Sequence, residues 1–152
     1  MPPKRIFLDA NVLVTVLCNE YPRFGACARV LSLADDKRFE VYTSPLCLAI
    51  GAYFAEKTSS SRIGGKNGKK LARRKIALLA EKLRVTTMGA KAVERTMADP
   101  RITDIEDGFQ YFSAVDAGCT SIITHDKRDW RFAAMEVLAP EDFLLKHAVR
   151  KA

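Results

Sequence analysis

The chain has 152 residues, of which 48% are hydrophobic and 28% charged, and its net charge is +7. This length and composition predict one domain, spanning 1–152, with one sizeable core. They exclude a membrane span, because no apolar run approaches about 18 residues. The four cysteines are scattered without a CxxC pair, which argues against a disulfide or zinc framework. We therefore expect a cytoplasmic protein.

The first part of the chain alternates short strands with helices. Hydrophobic periodicity predicts, in chain order, a strand over 5–8, a helix from Asn11, a helix over 22–36, a strand over 40–43 and a helix from Ser44-Pro45 to about Lys57. The first strand ends abruptly at Asp9, and either Asp9 or Asn11 suits the N-cap of the helix that follows.

The segment 57–75 is strongly basic. It holds eight lysine or arginine residues and no acidic residue, so the rest of the chain is close to neutral. Its Ser- and Gly-rich part, 58–68, predicts a loop, and a basic helix follows over 69–82. The segment is a candidate surface for RNA phosphates, and a solvated segment that keeps the protein soluble is an equal alternative. The candidate RNA-binding residues are Lys66, Lys69, Lys70, Arg73 and Arg74.

The second half continues the same alternation. The pattern predicts a strand over 84–87, a helix over 90–98, a helix from Thr103, strands over 120–124 and 136–138, and a last helix from Pro140. Thr103 and Glu106 match the capping-box spacing. Strands that alternate with helices favour an α/β fold with a mainly parallel sheet. Ligands bind such sheets beyond the carboxyl ends of the strands, where strand order reverses.

Aspartates stand at three such places. Asp9 follows the first strand directly, and Asp126 and Asp129 follow the strand that ends at 124. Asp104 and Asp107 are three residues apart, so they share one helix face. Carboxylates grouped in this way suit Mg²⁺ or Mn²⁺, which prefer hard oxygen ligands. Such ions promote phosphodiester hydrolysis.

Each aspartate also has a structural explanation. Asp9 stands where an N-cap is needed. Asp104 and Asp107 complement the positive end of a helix, and Asp126 and Asp129 suit a charged loop. Their joint pattern indicates a site more strongly than any single member does.

Three segments resemble PIN domains. IFLDANVLV is similar to the opening of that family, a hydrophobic strand followed by Asp-x-Asn and aliphatic residues. DIEDGFQYFSAVDAGCTSIITHDKRDW resembles its second signature, an acidic helix start, a buried strand and then Thr-x-Asp-x-x-Asp-aromatic. VLAPEDFL is similar to the closing segment of the family. The resemblance spans nearly the whole chain and is weakest over 58–100.

The resemblance implies a three-layer α/β/α sandwich with a mainly parallel central sheet, and Mg²⁺- or Mn²⁺-dependent hydrolysis of RNA phosphodiester bonds. Many members of this family are VapC-like toxins, which dimerise and are held inactive by a small antitoxin protein. Carried onto this sequence, the resemblance implies that Asp9, Asp107 and Asp126 are the catalytic metal ligands. The supporting residues it implies are Asn11, Asp104, Thr124 and Asp129.

One position departs from the family pattern. Most active PIN nucleases carry a Glu in the helix after the second strand, and this chain has Ile50 there, which offers a metal no oxygen. Glu56 lies six residues on and, at about 100° per residue, points well away from that face. The alternative function is therefore a catalytically impaired PIN-like module that binds RNA or a protein. A phosphohydrolase of the haloacid dehalogenase type is disfavoured, because it needs an Asp where this chain has Asn11.

Overall fold

The computed structural model describes residues 1–150 as a central sheet covered by helices. The strands are β1 (Lys4–Leu8), β2 (Phe39–Thr43), β3 (Arg84–Val85), β4 (Ser121–Ile123) and β5 (Glu136–Leu138). The helices are α1 (Ala10–Leu17), α2 (Phe24–Ser32), α3 (Pro45–Ile63), α4 (Gly65–Lys82), α5 (Ala90–Ala98), α6 (Ile105–Asp116) and α7 (Pro140–Phe143). Short turns of 3₁₀ or π helix cover Leu33–Asp35, Lys127–Trp130 and Leu144–Ala148. Within residues 1–150, no helix has the length and apolar character needed to cross a membrane.

All five strands are parallel, in the order β3-β2-β1-β4-β5. The chain moves outward from β1 to β3 and then crosses back to β4, so strand order reverses between β1 and β4. Because crossovers between parallel strands are right-handed, this reversal puts the helices of the first half on one face and α5 and α6 on the other. The contacts agree, since α1 packs on α2 and α3, α3 on α4, and α5 on α6. The predicted three-layer α/β/α sandwich is confirmed.

The two central strands form the middle of the core. Ile6, Phe7 and Leu8 of β1 and Ile122 and Ile123 of β4 are fully buried. Helices on both faces remove this part of the sheet from water, which is why consecutive apolar residues stand here instead of an apolar–polar alternation. Their burial fixes the position of the first polar residue after each strand.

The predicted loop over 58–68 is wrong. Helix α3 continues through the serines to Ile63, the chain turns at Gly64, and α4 begins at the next residue. Gly64 has a φ of +91°, which favours glycine. The helices then run so close together that a Cβ on Gly68 would lie 2.5 Å from the backbone nitrogen of Ser60. Serine and glycine have low helix propensity, but tertiary packing overrides it here.

The predicted capping box at the start of α6 is also wrong. The N-cap is Asp104 and not Thr103, because the Asp104 carboxylate accepts a 3.0 Å hydrogen bond from the backbone nitrogen of Glu106. Asp and Thr both cap helices well, and here the residue one position later does so. Glu106 therefore lies at the second helical position, outside a capping box.

Candidate active site

A cleft of about 540 Å³ opens at the carboxyl ends of β1 and β4, where strand order reverses. Residues from α1, α3, α6 and the segment after β4 line it. Its carboxylates are Asp9, Glu20, Asp104, Glu106, Asp107, Asp126 and Asp129. Among residues 1–150, Arg23 is the one lysine or arginine that lines it. The sequence predicted five of these seven acids as site residues, and the fold brings all five to one surface.

Asp9 is the most constrained of these acids. One carboxylate oxygen caps α1 by accepting a 2.8 Å hydrogen bond from the Ala10 nitrogen. The other accepts hydrogen bonds from the Thr124 hydroxyl at 2.8 Å and from Nε1 of Trp130 at 3.3 Å. Burial raises the pKa of Asp9, and these hydrogen bonds offset only part of that rise. The N-cap explanation of Asp9 is thus correct, and its second oxygen is held by groups distant in sequence.

The Thr124 hydroxyl joins the two halves of the site. It donates to Asp9 and accepts from Nδ2 of Asn11 at 3.0 Å and from the Asp126 nitrogen at 3.1 Å. The side-chain oxygen Oδ1 of Asn11 in turn accepts a hydrogen bond from the backbone nitrogen of His125 at 3.3 Å. The segments that follow β1 and β4 are therefore locked together, and the side chains of Asn11 and Thr124 orient the carboxylates.

Asp107 faces the cleft from the first turn of α6. It is only 7% exposed, and burial raises its pKa to about 8, with further contributions from Asp9 and Asp104. Near neutral pH a carboxylate in this position is poorly stabilised by its surroundings. A cation beside it would restore the charged form.

The segment after β4 presents Asp126 and Asp129 at the cleft rim. Both are exposed, and a hydrogen bond shared with Asp126 raises the pKa of Asp129. Trp130 ends this segment and is 1% exposed, so it anchors the loop to the core. Its hydrogen bond to Asp9 is not predicted by the sequence. The aromatic residue directly after Asp-x-x-Asp was the available signal.

His125 also lines the cleft and is half-buried. Its Nε2 lies 3.2 Å from Sγ of Cys27 and 3.4 Å from the Thr15 hydroxyl. Burial lowers the pKa of His125 and raises that of Cys27 to about 11. The pair is therefore neutral near pH 7 and acts as a packing contact behind the site.

The wall of the cleft formed by α3 carries no charged residue. Ile50, Phe54 and Thr58 lie on it, and Val14 of α1 also lines the cleft. Glu56 lies in a different groove, as its position on the helix predicted. Position 50 thus faces the acidic cluster but carries no oxygen.

The capping-box spacing predicts only a capping role for Glu106, whereas in the structure Glu106 lines the cleft. Burial raises its pKa, and Asp104 and Asp9 add to the rise. The local sequence does not distinguish a glutamate that faces the cleft from one that caps the helix, because the role depends on whether α6 begins after Thr103 or after Asp104.

The donor chemistry of the cleft fits a hard divalent cation. Within residues 1–150, no group of three or more His, Cys, Asp or Glu side chains is arranged so that it could enclose an ion as it stands. Mg²⁺, however, needs only one or two protein carboxylates, and waters and substrate phosphates complete its shell. Asp9 and Asp107 are buried carboxylates whose charged forms need such a partner.

The basic residues lie apart from this cleft. Lys66, Lys69, Lys70, Arg73 and Arg74 are all on α4, and none of them lines the cleft. Three of them, Lys69, Lys70 and Arg73, line a separate groove with Ala52 and Glu56 of α3. Residues 54 and 56 of a helix point about 200° apart, so this groove is on the side of α3 opposite to the cleft.

Comparisons with known proteins agree with one another. Residues 5–128 match the family model of the PIN domain. The chain is similar to Ribonuclease VapC1 of Aquifex aeolicus (strain VF5), with 25% identity over 147 residues, 94% of this chain and 95% of that protein. Its fold is similar to VapBC2 of Rickettsia felis, solved bound to a DNA fragment from their promoter (TM-score 0.64, 16% identity, 88% of this chain and 96% of that one). It is also similar to Mycobacterium tuberculosis VapC20, a sarcin-ricin loop cleaving toxin (TM-score 0.59, 19% identity, 82% and 92% coverage).

Proposed function

This chain belongs to the PIN domain family, and we propose that it is an endoribonuclease that hydrolyses RNA phosphodiester bonds in the acidic cleft. One observation carries the proposal: Asp9, Asp107 and Asp126 come from three separate parts of the chain and line one cleft where strand order reverses. The name of the Aquifex aeolicus relative, a ribonuclease, supports RNA as the substrate.

The cofactor in this proposal is Mg²⁺ or Mn²⁺, held by Asp9, Asp107 and Asp126. When bound, it would supply a Lewis acid that polarises the phosphate and lowers the pKa of a water molecule. Asp9 is held in place by Thr124, and Thr124 by Asn11, so the ligands from β1 and β4 keep a fixed spacing. This preorganisation lowers the cost of assembling the site when the cation binds.

Asp104 and Asp129 support the site from its rim. Asp104 fixes the first turn of α6 by capping it, which sets the direction of Asp107. Asp129 adds negative charge beside Asp126. Together the rim acids make the cleft more negative, so it attracts a cation more strongly and repels the phosphates of RNA. We therefore expect RNA to enter only when the cation is bound.

Recognition of RNA outside the cleft is assigned to the basic face of α4, which we define as Lys66, Lys69, Lys70, Arg73 and Arg74. The groove lined by Lys69, Lys70 and Arg73 offers cations to a phosphate backbone with one acidic neighbour, Glu56, whose carboxylate lies 3.7 Å from Nζ of Lys69. Such contacts give affinity without sequence preference. The basic face therefore binds RNA segments remote from the scissile bond.

The test is cleavage of varied RNAs by the purified protein with Mg²⁺, with Mn²⁺ and with EDTA. We expect cleavage that needs the cation and falls by at least about 100-fold in Asp107→Asn, because a side chain that touches the reacting centre is lost. The control is Asp142→Asn, which removes an exposed carboxylate on α7. Absence of cleavage of any RNA under both metals, with correctly folded protein, would reject the function.

We further propose that the chain is the toxin of a toxin–antitoxin pair in the cytoplasm, with a small antitoxin protein and a second copy of itself as partners. The related structure described as VapBC2 supports such a partner. Exposed apolar side chains on α5 and at the start of α6, Val93, Met97 and Ile105, offer a surface for the second copy. Light scattering of the purified chain tests the dimer, and Met97→Glu should give the monomer.

The alternative of a catalytically impaired binding module rests on Ile50 alone, and the comparisons do not favour it. We also propose that 1–152 form a single PIN-like domain. Limited proteolysis tests this, because a single domain should be cut slowly and should release no protease-resistant fragment; a stable internal fragment would contradict it.

A further inference from the structure

We propose that Glu106 supplies the carboxylate that position 50 lacks, as an additional ligand of the divalent cation in this cleft. The inference rests on the proposed function and adds to it a residue that the family pattern does not predict. With Glu106 as a ligand, an apolar side chain at Ile50 is compatible with an active site, because a carboxylate of α6 contributes the oxygen that α3 lacks.

Glu106 is free to take this part because it is not used for capping. Asp104 caps α6 through the Glu106 backbone nitrogen, which leaves the Glu106 side chain to point elsewhere. That side chain lines the cleft together with Asp9 and Asp107 and is exposed to it. In the described part of the chain, its one hydrogen-bonding neighbour is Gln110, whose Nε2 lies 3.4 Å from Oε1 of Glu106.

Gln110 is fully buried, and its amide has a fixed orientation. Sγ of Cys47 donates to Oε1 of Gln110 at 2.6 Å. Burial raises the pKa of Cys47 to about 12, so the thiol keeps its proton and acts as the donor. With its oxygen facing Cys47, Gln110 turns its NH₂ group toward Glu106 and donates to Oε1, and within residues 1–150 Oε2 of Glu106 has no hydrogen-bond partner.

Cys47 also links this chain of contacts to position 50. It lies three residues before Ile50 on α3, so the two side chains leave the helix on adjacent turns of one side. The helix turn that carries the metal-binding Glu in the family pattern thus positions Glu106 here, through Cys47 and Gln110.

The experiment measures Mn²⁺ binding by isothermal titration calorimetry for wild type, Glu106→Gln, Ile50→Glu and the double variant Ile50→Glu/Glu106→Gln. The control is Glu94→Gln, which removes an exposed carboxylate of α5. Outer-shell substitutions already weaken metal binding by about 10–100-fold, so we expect Glu106→Gln to weaken it by at least about tenfold and Glu94→Gln to leave it unchanged. The double variant should recover most of the loss, because position 50 faces the same cleft.

Equal Mn²⁺ affinity of wild type and Glu106→Gln would overturn the inference, and so would an equal loss in Glu94→Gln, which would show a general charge effect. If Glu106→Gln and Glu94→Gln both bind Mn²⁺ as tightly as the wild type and the wild type cleaves RNA, the inference falls and the proposed function stands. If the wild type neither binds Mn²⁺ nor cleaves RNA, both fall. Should Ile50→Glu prevent folding, Glu106→Gln and its control still decide the matter, with circular dichroism checking the fold of each.

Discussion

The substitution Asp107→Asn should stabilise the metal-free protein, and the gain should grow with pH. Asp107 has a pKa of about 8 in the folded chain and about 3.9 when unfolded. Between these values the folded state holds a proton that the unfolded state has released. The free energy of unfolding therefore falls as pH rises through this window, and Asn, which does not titrate, removes that loss.

The size of the effect follows from the pKa difference. Each pH unit inside the window costs at most about 1.4 kcal/mol, or about 4 kcal/mol between pH 5 and pH 8. Solvent enters the open cleft and reduces this, so we expect the stability gain of Asp107→Asn to rise by about 2 kcal/mol over that interval. For a chain of this length that corresponds to roughly 4–8 °C in Tm.

The assay is urea unfolding of wild type, Asp107→Asn and Asp142→Asn in EDTA at pH 5 and pH 8. The difference between wild type and Asp107→Asn should widen at pH 8, whereas Asp142→Asn should track the wild type at both. Repeating the titration with Mn²⁺ should stabilise the wild type and leave Asp107→Asn nearly unchanged. A gain that is the same at both pH values would refute the reasoning, because it would show that Asp107 does not titrate inside this window.

Three further outcomes follow from the structure. Thr124→Val should lower the free energy of unfolding by about 1–3 kcal/mol in thermal unfolding, because Asp9 loses the hydrogen bond from the Thr124 hydroxyl. It should also lower the cleavage rate under conditions where the variant stays folded; an unchanged rate would contradict the orienting role of Thr124. Gly68→Ala should destabilise by about 1–3 kcal/mol, since its Cβ would meet the Ser60 backbone, whereas the matched change Gly65→Ala meets open space and should be neutral or slightly stabilising. Changing the basic face of α4 to glutamine should raise KM and flatten its salt dependence with kcat retained; a fall in kcat alone would place RNA contacts elsewhere.

The local sequence was sufficient for most elements of the fold. Runs of apolar residues predict strands β1 and β4, α3 begins at the predicted cap Ser44, and α1 begins at Asp9, one of the two caps predicted for it. These signals reach only a few residues along the chain, so a single sequence contains them in full. The same short range explains why the loop predicted over 58–68 is wrong. The composition of this segment is typical of a loop, but the segment is helical because Gly68 packs closely on Ser60, and these two residues are eight apart.

The site shows the same division. The sequence by itself determined which aspartates follow strands or begin α6, because their places depend on local order along the chain. Only the tertiary structure decided that they share one cleft, that Trp130 holds Asp9, that the basic face lies behind α3, and that Glu106 reaches the cleft while Ile50 adds no oxygen to it. Each of these facts depends on contacts between segments far apart in sequence, whose geometry is set by the packing of helices on a parallel sheet.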